Sequence, residues 1–178
     1  VAETIKEHGS ELATLESDTP LRSLDILGFS LTHELCYSTL LYMLDLADIP
    51  FKSEDRGAHF PLLVGGGAVY NPEPVAQFFD VFLLGDGEEA ILEIADLVLS
   101  SRETNTSRLQ ALQKLQDIPG VYVPSLYEAK GTVAACGVEK RVEPDLDRTG
   151  FCTQQIIPFG KPVHDRFTLE IARGGTGG

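Results

Sequence analysis

At 178 residues the chain is long enough for one domain of ordinary size with a small appendage. Its 43% hydrophobic and 23% charged content is that of a folded domain and excludes a disordered one. The net charge of -13, with only 14 Lys and Arg, argues against direct contact with nucleic acid, which leans on clustered cations.

No apolar stretch reaches the length of a membrane span and no basic-then-apolar leader opens the chain, so no membrane contact is expected and the cytoplasm is the expected compartment. Cys36, Cys136 and Cys152 are irregularly spaced, which suits neither a disulfide framework nor a zinc site. They read as reduced thiols, and no metal ligand set is expected.

The chain opens in a helix over residues 2–8, stopped by Gly9, and residues 11–16 suit a short edge strand. Residues 25–30 are an apolar strand. Leu35, Tyr37, Leu40, Leu41 and Leu44 then fall at helical spacing, predicting a helix over 33–47 that Pro50 ends. Residues 61–65 form a third strand running into Gly65-Gly66-Gly67. Asn71-Pro72-Glu73-Pro74 begins a brief helix near 75–79.

Val81 to Leu84 reads as a buried strand, turned at Gly85-Asp86-Gly87 into a helix opened by Glu88-Glu89. Its expected core face is Ile91, Ile94, Ala95 and Val98. Thr106-Ser107 caps a further helix over 108–115. Strand and helix thus alternate three or four times, the pattern of a parallel sheet covered by helices. From Gly120 short antiparallel strands are expected at 121–124, 132–135 and 138–142, then a proline-punctuated linker over 144–162 and a last strand at 167–172.

Three loops follow three successive strands: Ser30-Leu31-Thr32, Gly65-Gly66-Gly67 and Gly85-Asp86-Gly87-Glu88. In a parallel sheet they sit side by side at the carboxyl edge, where open α/β folds bind ligands. Small residues there let backbone approach a large ligand; read blandly, the glycines only make tight turns. Asp86, Glu88 and Glu89 stand where a phosphate would have to sit, so the loop suits hydroxyls, amides or a cation. No Gly-Lys-Ser/Thr loop or dinucleotide fingerprint is present. Cys36, one helical turn after His33, suggests a thiol–imidazole pair, but no third group orients it, and a buried helix-face cysteine is the commoner outcome. His33 and His59 are otherwise expected to be solvated, and no catalytic residue is assigned.

Together these segments carry a resemblance. Residues 16–21 (Glu-Ser-Asp-Thr-Pro-Leu), 26–31 (Ile-Leu-Gly-Phe-Ser-Leu), Glu34-Leu35-Cys36-Tyr37, Gly65-Gly66-Gly67, Asn71-Pro72-Glu73-Pro74 and Gly85-Asp86-Gly87-Glu88 resemble the N-terminal region of cobalamin-domain-containing radical S-adenosylmethionine (SAM) proteins. The likeness continues through residues 118–124, 162–165 and 169–171. It is specific in combination and weak in any single motif.

The resemblance implies a flavodoxin-like or Rossmann-like α/β fold, with a parallel sheet, helices on both faces and a small β-rich extension. It implies a cobalamin-binding-like domain at 1–117, an extension and linker at 118–165, and the start of a radical SAM barrel at 166–178. Ser30 and Thr32 would supply polar contacts to a corrinoid, with Leu31 between them in the same cofactor-binding loop, Gly65, Gly66 and Gly67 the close backbone approach, and Gly85, Asp86, Gly87 and Glu88 the rim.

A first strand with its lower-ligand histidine is expected before Val1, and Gly175 stands where the family carries its first cluster cysteine. The piece therefore reads as cut at both ends, with the [4Fe–4S] cluster, SAM and radical chemistry belonging to a parent enzyme. The expected partner is the barrel of that parent, with a homodimer through an exposed sheet edge as a further expectation. The rival readings are a degenerate Rossmann-like module that binds no cofactor, and a free-standing enzyme using Cys36 or a nucleotide.

Overall fold

A computed structural model describes residues 2–67, 71–128 and 137–149, together with residues 160, 170 and 173. The chain divides into two compact units, Val1–Val142 and Glu143–Gly178.

The first unit is built on a four-stranded sheet of β1 (Ile26–Ser30), β2 (Leu62–Gly66), β3 (Val81–Leu83) and β4 (Val121–Tyr122), in that spatial order. β1, β2 and β3 are parallel and β4 is antiparallel to β3. This is an α/β fold with a mostly parallel sheet whose strands lie side by side in chain order.

Alternation along the strands divides the core in two. Leu27, Phe29, Leu63, Phe82 and Tyr122 face one layer, where α2 (Cys36–Leu46) brings Leu40 and Leu44, and the 3₁₀ helix Glu73–Phe78 brings Val75 and Ala76. Ile26, Leu62, Val64, Val81, Leu83 and Val121 face the other. That layer holds Ala90, Ile94 and Val98 of α3 (Ala90–Glu103), with Leu112 and Leu115 of α4 (Arg108–Leu115). A side-chain period of two forces this split, so both faces of the sheet are covered.

The row Phe29, Gly65, Phe82 and Tyr122 runs straight across all four strands in register. Its aromatic members are joined through Phe79, with ring centroids 5.9 Å from Phe29 and 4.7 Å from Phe82.

Several local expectations are corrected. The predicted edge strand at 11–16 is only a turn with one bridge, Ala13 to Pro20, because Thr14, Ser17 and Thr19 hydrogen-bond one another across it. α2 begins at Cys36, three residues late, which leaves Leu35 83% exposed rather than on the core face. In α3 the buried stripe is Ala90, Ile94 and Val98, while Ile91 points outward.

Val121 and Tyr122 pair with β3, and Pro124–Glu128 is helical (α5). Within 138–142 the one bridge is Arg141 to Gly85, in parallel sense. The strand expected at 132–135 lies outside the described residues, as does nearly all of the linker from 150 onward and the strand at 167–172. α1 (Ala2–Glu7) ends before Gly9, whose φ of +60° suits glycine.

In the second unit, Arg148 and Asp147 donate backbone N–H groups to the Asp145 carbonyl and carboxylate, each at 3.1 Å. Arg173 pairs with Glu170 at 2.8 Å.

Candidate functional site

The three loops that follow β1, β2 and β3 leave the sheet in two directions. α2 and the 3₁₀ helix return the chain to β2 and β3 on one face, whereas α3 and α4 follow β3 on the other. The exits of β2 and β3 therefore leave the carboxyl edge toward opposite faces of the sheet.

Strand register brings the first two loops together. Ser30 and Gly66 are direct partners, and Leu31 donates its N–H to the Gly66 carbonyl at 2.8 Å. Gly67 sits at φ +98°, and a Cβ there would lie 3.2 Å from both the Leu31 carbonyl and Ser30 Oγ. Ser30 and Thr32 are exposed, while Leu31 is only 2% exposed, so it can offer a ligand little but backbone.

The three consecutive glycines differ in what they face. A Cβ at Gly65 would strike the Phe82 ring at 2.7 Å, so this glycine serves the aromatic row. At Gly66 it would meet nothing closer than 3.7 Å, an ordinary contact, so no internal packing requires glycine there. Gly28 shares the Gly66 face, since the register pairs it with Val64, two residues earlier; it is exposed, and a Cβ added there would meet no atom within 4 Å. Gly28, Ser30 and Gly66 together form a patch without large side chains at the β1 end of the α3 face. Sequence reasoning missed Gly28, although a glycine inside an apolar strand signals close approach of another group.

The third loop is engaged elsewhere. Arg141 N–H donates to the Leu84 carbonyl at 2.9 Å, and Asp86 N–H donates to the Arg141 carbonyl at 2.9 Å. Gly85, at φ +102°, has no room for a Cβ against the Arg141 backbone. A Gly87 Cβ would stand 3.3 Å from Leu83 Cδ2. Asp86 and Glu88 are half-buried. The Arg141 side chain reaches Glu93 of α3 at 2.8 Å and Glu89, which caps that helix, at 3.3 Å. The Glu93 hydrogen bond, with the charges of both glutamates, holds the Arg141 pKa above its usual value against the opposing pull of burial.

The Cys36 and His33 side chains meet, with Sγ 3.6 Å from Nδ1, and Thr32 Oγ1 lies 3.7 Å from the sulfur. Cys36 is half-buried rather than buried. Burial, then Glu34 and Cys36, raise the pKa of neighbouring Tyr37. Among the described residues no group of three His, Cys, Asp or Glu could hold a metal ion, and no helix is long and apolar enough to cross a membrane.

A family model described as "Radical SAM proteins, N-terminal" matches residues 1–124. The chain belongs to that family. The matched span takes in all four strands and all three loops, and ends as β4 gives way to α5. No curated protein and no solved structure matches the chain.

Proposed function

We propose that this N-terminal radical SAM domain is a corrinoid-binding module that docks on the catalytic barrel of its parent enzyme. The observation that carries the reading is Gly66: a strand glycine costs stability, nothing in the core requires it, and it partners the exposed Ser30. The residues present fit a broad, flat macrocycle. Gly28, Ser30 and Gly66 leave a patch free of bulky side chains, and Ser30 and Thr32 offer hydroxyls at its edge.

In this role Ser30 and Thr32 hydrogen-bond the ligand's polar periphery, Gly66 allows close backbone approach, and Gly67 leaves room for the Ser30–Leu31 backbone beside it. A corrinoid, when bound, supplies a carrier for a methyl group. The [4Fe–4S] cluster and SAM belong to the parent's barrel. Leu35, exposed beside this edge, suits a surface that the barrel covers.

A second reading, a structural module that binds no cofactor, is favoured by one observation. The expected rim loop at Gly85–Asp86 already commits its backbone groups to Arg141.

Titration with hydroxocobalamin and methylcobalamin, followed by visible absorbance and melting temperature, separates the two. Saturable binding by the wild type, weakened in Gly66→Phe while Gly66→Ala retains the fold, is the expected result. A folded wild-type chain that shows no binding, together with a full-length parent that also shows none, would leave the structural reading.

A further inference from the structure

A helix lying on a sheet needs one apolar stripe, and α3 carries two. The first, Ala90, Ile94 and Val98, is buried in the core layer described above. The second is Leu92, Ala95 and Leu99, with Ile91 beside it. Leu92 is 63% exposed, Leu99 49% and Ile91 40%, and Ala95 is half-buried. None of the four belongs to either core cluster. Scattered apolar residues at a surface need no explanation, but a contiguous row marks a surface that something covers.

The spacing of this row is that of a seam between two helices. Leu92, Ala95, Leu99 and Arg102 follow one another at intervals of three, four and three residues, the alternation of a coiled-coil contact. The small Ala95 at its middle lets a second helix approach closely. At its far end Arg102 pairs with Asp25, which leads into β1, so that end lies beside the start of the edge strand and its charge is already balanced.

Charge along one border selects the occupant. Asp96 and Glu103 each directly follow a seam residue and stand seven residues apart, the bordering position at which paired helices choose partners by charge. Both are exposed, and neither carboxylate has an ion-pair partner among the described residues. Glu89, at the N-cap, stands one heptad earlier and shares Arg141 with Glu93. A second copy of this chain, with its net charge of -13, would set acid against acid. Lys or Arg along the border of a different helix would complete the row.

We propose that the outer seam of α3 docks an amphipathic helix with a basic border, supplied by the parent protein outside residues 1–178. Its apolar stripe covers Leu92, Ala95 and Leu99, and its cations stand beside Asp96 and Glu103. The source follows from the family: this is an N-terminal domain of radical SAM proteins, and a helix tethered to it reaches an effective concentration that a free partner does not. The contact goes beyond the corrinoid reading and needs no bound corrinoid.

The test is hydroxyl-radical footprinting of Leu92 and Leu99, read by mass spectrometry, in the isolated chain and in the full-length parent. Oxidation severalfold slower in the parent is expected. Leu99→Lys keeps a good helix former one turn from Glu103, and is expected to leave the melting temperature of the isolated chain unchanged. In the parent it is expected to return Leu92 to the fast rate. The double variant Asp96→Lys/Glu103→Lys is expected to restore fast oxidation of both leucines in the parent. Sedimentation of the isolated chain over a range of concentrations tests for a second copy on the seam. Equal oxidation in chain and parent, a dimer of the isolated chain that Leu99→Lys dissociates, or cover in the parent that persists in both variants would overturn the proposal.

Discussion

Gly65 of β2 lies in register beside Phe82 of β3, and the Phe82 ring fills the space where a Gly65 side chain would stand. Because the next two glycines face different surroundings, three single substitutions separate packing, function and backbone conformation. Gly65→Ala overpacks the aromatic row and is expected to cost about 1–3 kcal/mol. Gly67→Ala is expected to cost about 1–3 kcal/mol through its positive φ and its contact with Leu31. Gly66→Ala is expected to be neutral or to gain up to about 1 kcal/mol, since alanine restricts the unfolded chain and fits the strand. Urea denaturation of the three variants checks the order.

Arg141 fastens the end of β3 by backbone and side chain together. Arg141→Ala keeps the backbone bridge and removes the pairs with Glu89 and Glu93. The expected loss is about 1 kcal/mol at low salt, shrinking as salt is raised, because both carboxylates are substantially exposed. Gly85→Ala leaves Arg141 no place at the bridge and is expected to cost more, with no recovery in salt. Thermal melts at low and high ionic strength distinguish the two.

Asp80 carries a larger share of stability, since its buried carboxylate accepts from both Arg56 and Arg108. Asp80→Ala leaves two guanidinium groups facing each other in a buried site, and a loss of about 3–5 kcal/mol is expected. Burial already pulls the Arg56 pKa below its usual value, and the Arg108 charge pulls the same way, while Asp80 opposes both. Asp80→Asn retains hydrogen-bond acceptors without charge, and its chemical denaturation midpoint is expected between those of the wild type and Asp80→Ala.

Ser107 caps α4 in both senses. Its Oγ accepts from Gln110 N–H at 3.3 Å, while Gln110 Oε1 accepts from Ser107 N–H at 3.3 Å. Ser107→Ala is expected to cost about 1 kcal/mol, with fraying confined to α4 in amide exchange.

Tyr37 gives the fold an alkaline limit. Its pKa is raised in the folded chain above the ordinary 10.0, first by burial and then by Glu34 and Cys36. The unfolded chain therefore loses the phenolic proton first. The stability linked to Tyr37 is fully present below about pH 10 and is lost as pH rises through the folded pKa. Melting temperature against pH is expected to fall more steeply for the wild type than for Tyr37→Phe in that window.

The regular elements were legible where the signal is local. The apolar runs at 25–30 and 61–65, the strand starting at Val81, and the capped helix at 108–115 each stand within a residue or so of their observed limits. The late start of α2 was not legible, because the spacing of Leu35 says nothing about whether the chain above it turns first. Nor was the role of residue 141, since its bridge to Gly85 joins positions far apart in sequence. The Arg56–Asp80–Arg108 cluster escaped for the same reason. Each of these residues alone reads as a solvated charge, and only folding withdraws them from water together.

By itself the sequence determined that this chain forms an α/β sheet and which loops follow its first three strands, because periodicity and turn chemistry act over neighbouring residues. It also carried the family, in motifs that the match to residues 1–124 covers. Only the tertiary structure decided that Gly65 serves an aromatic row, that Gly67 leaves room for the Ser30–Leu31 backbone beside it, and that a side chain at Gly66 would crowd neither. A glycine's purpose is set by what lies across the sheet from its missing Cβ, and that neighbour is chosen by strand register rather than by adjacent residues.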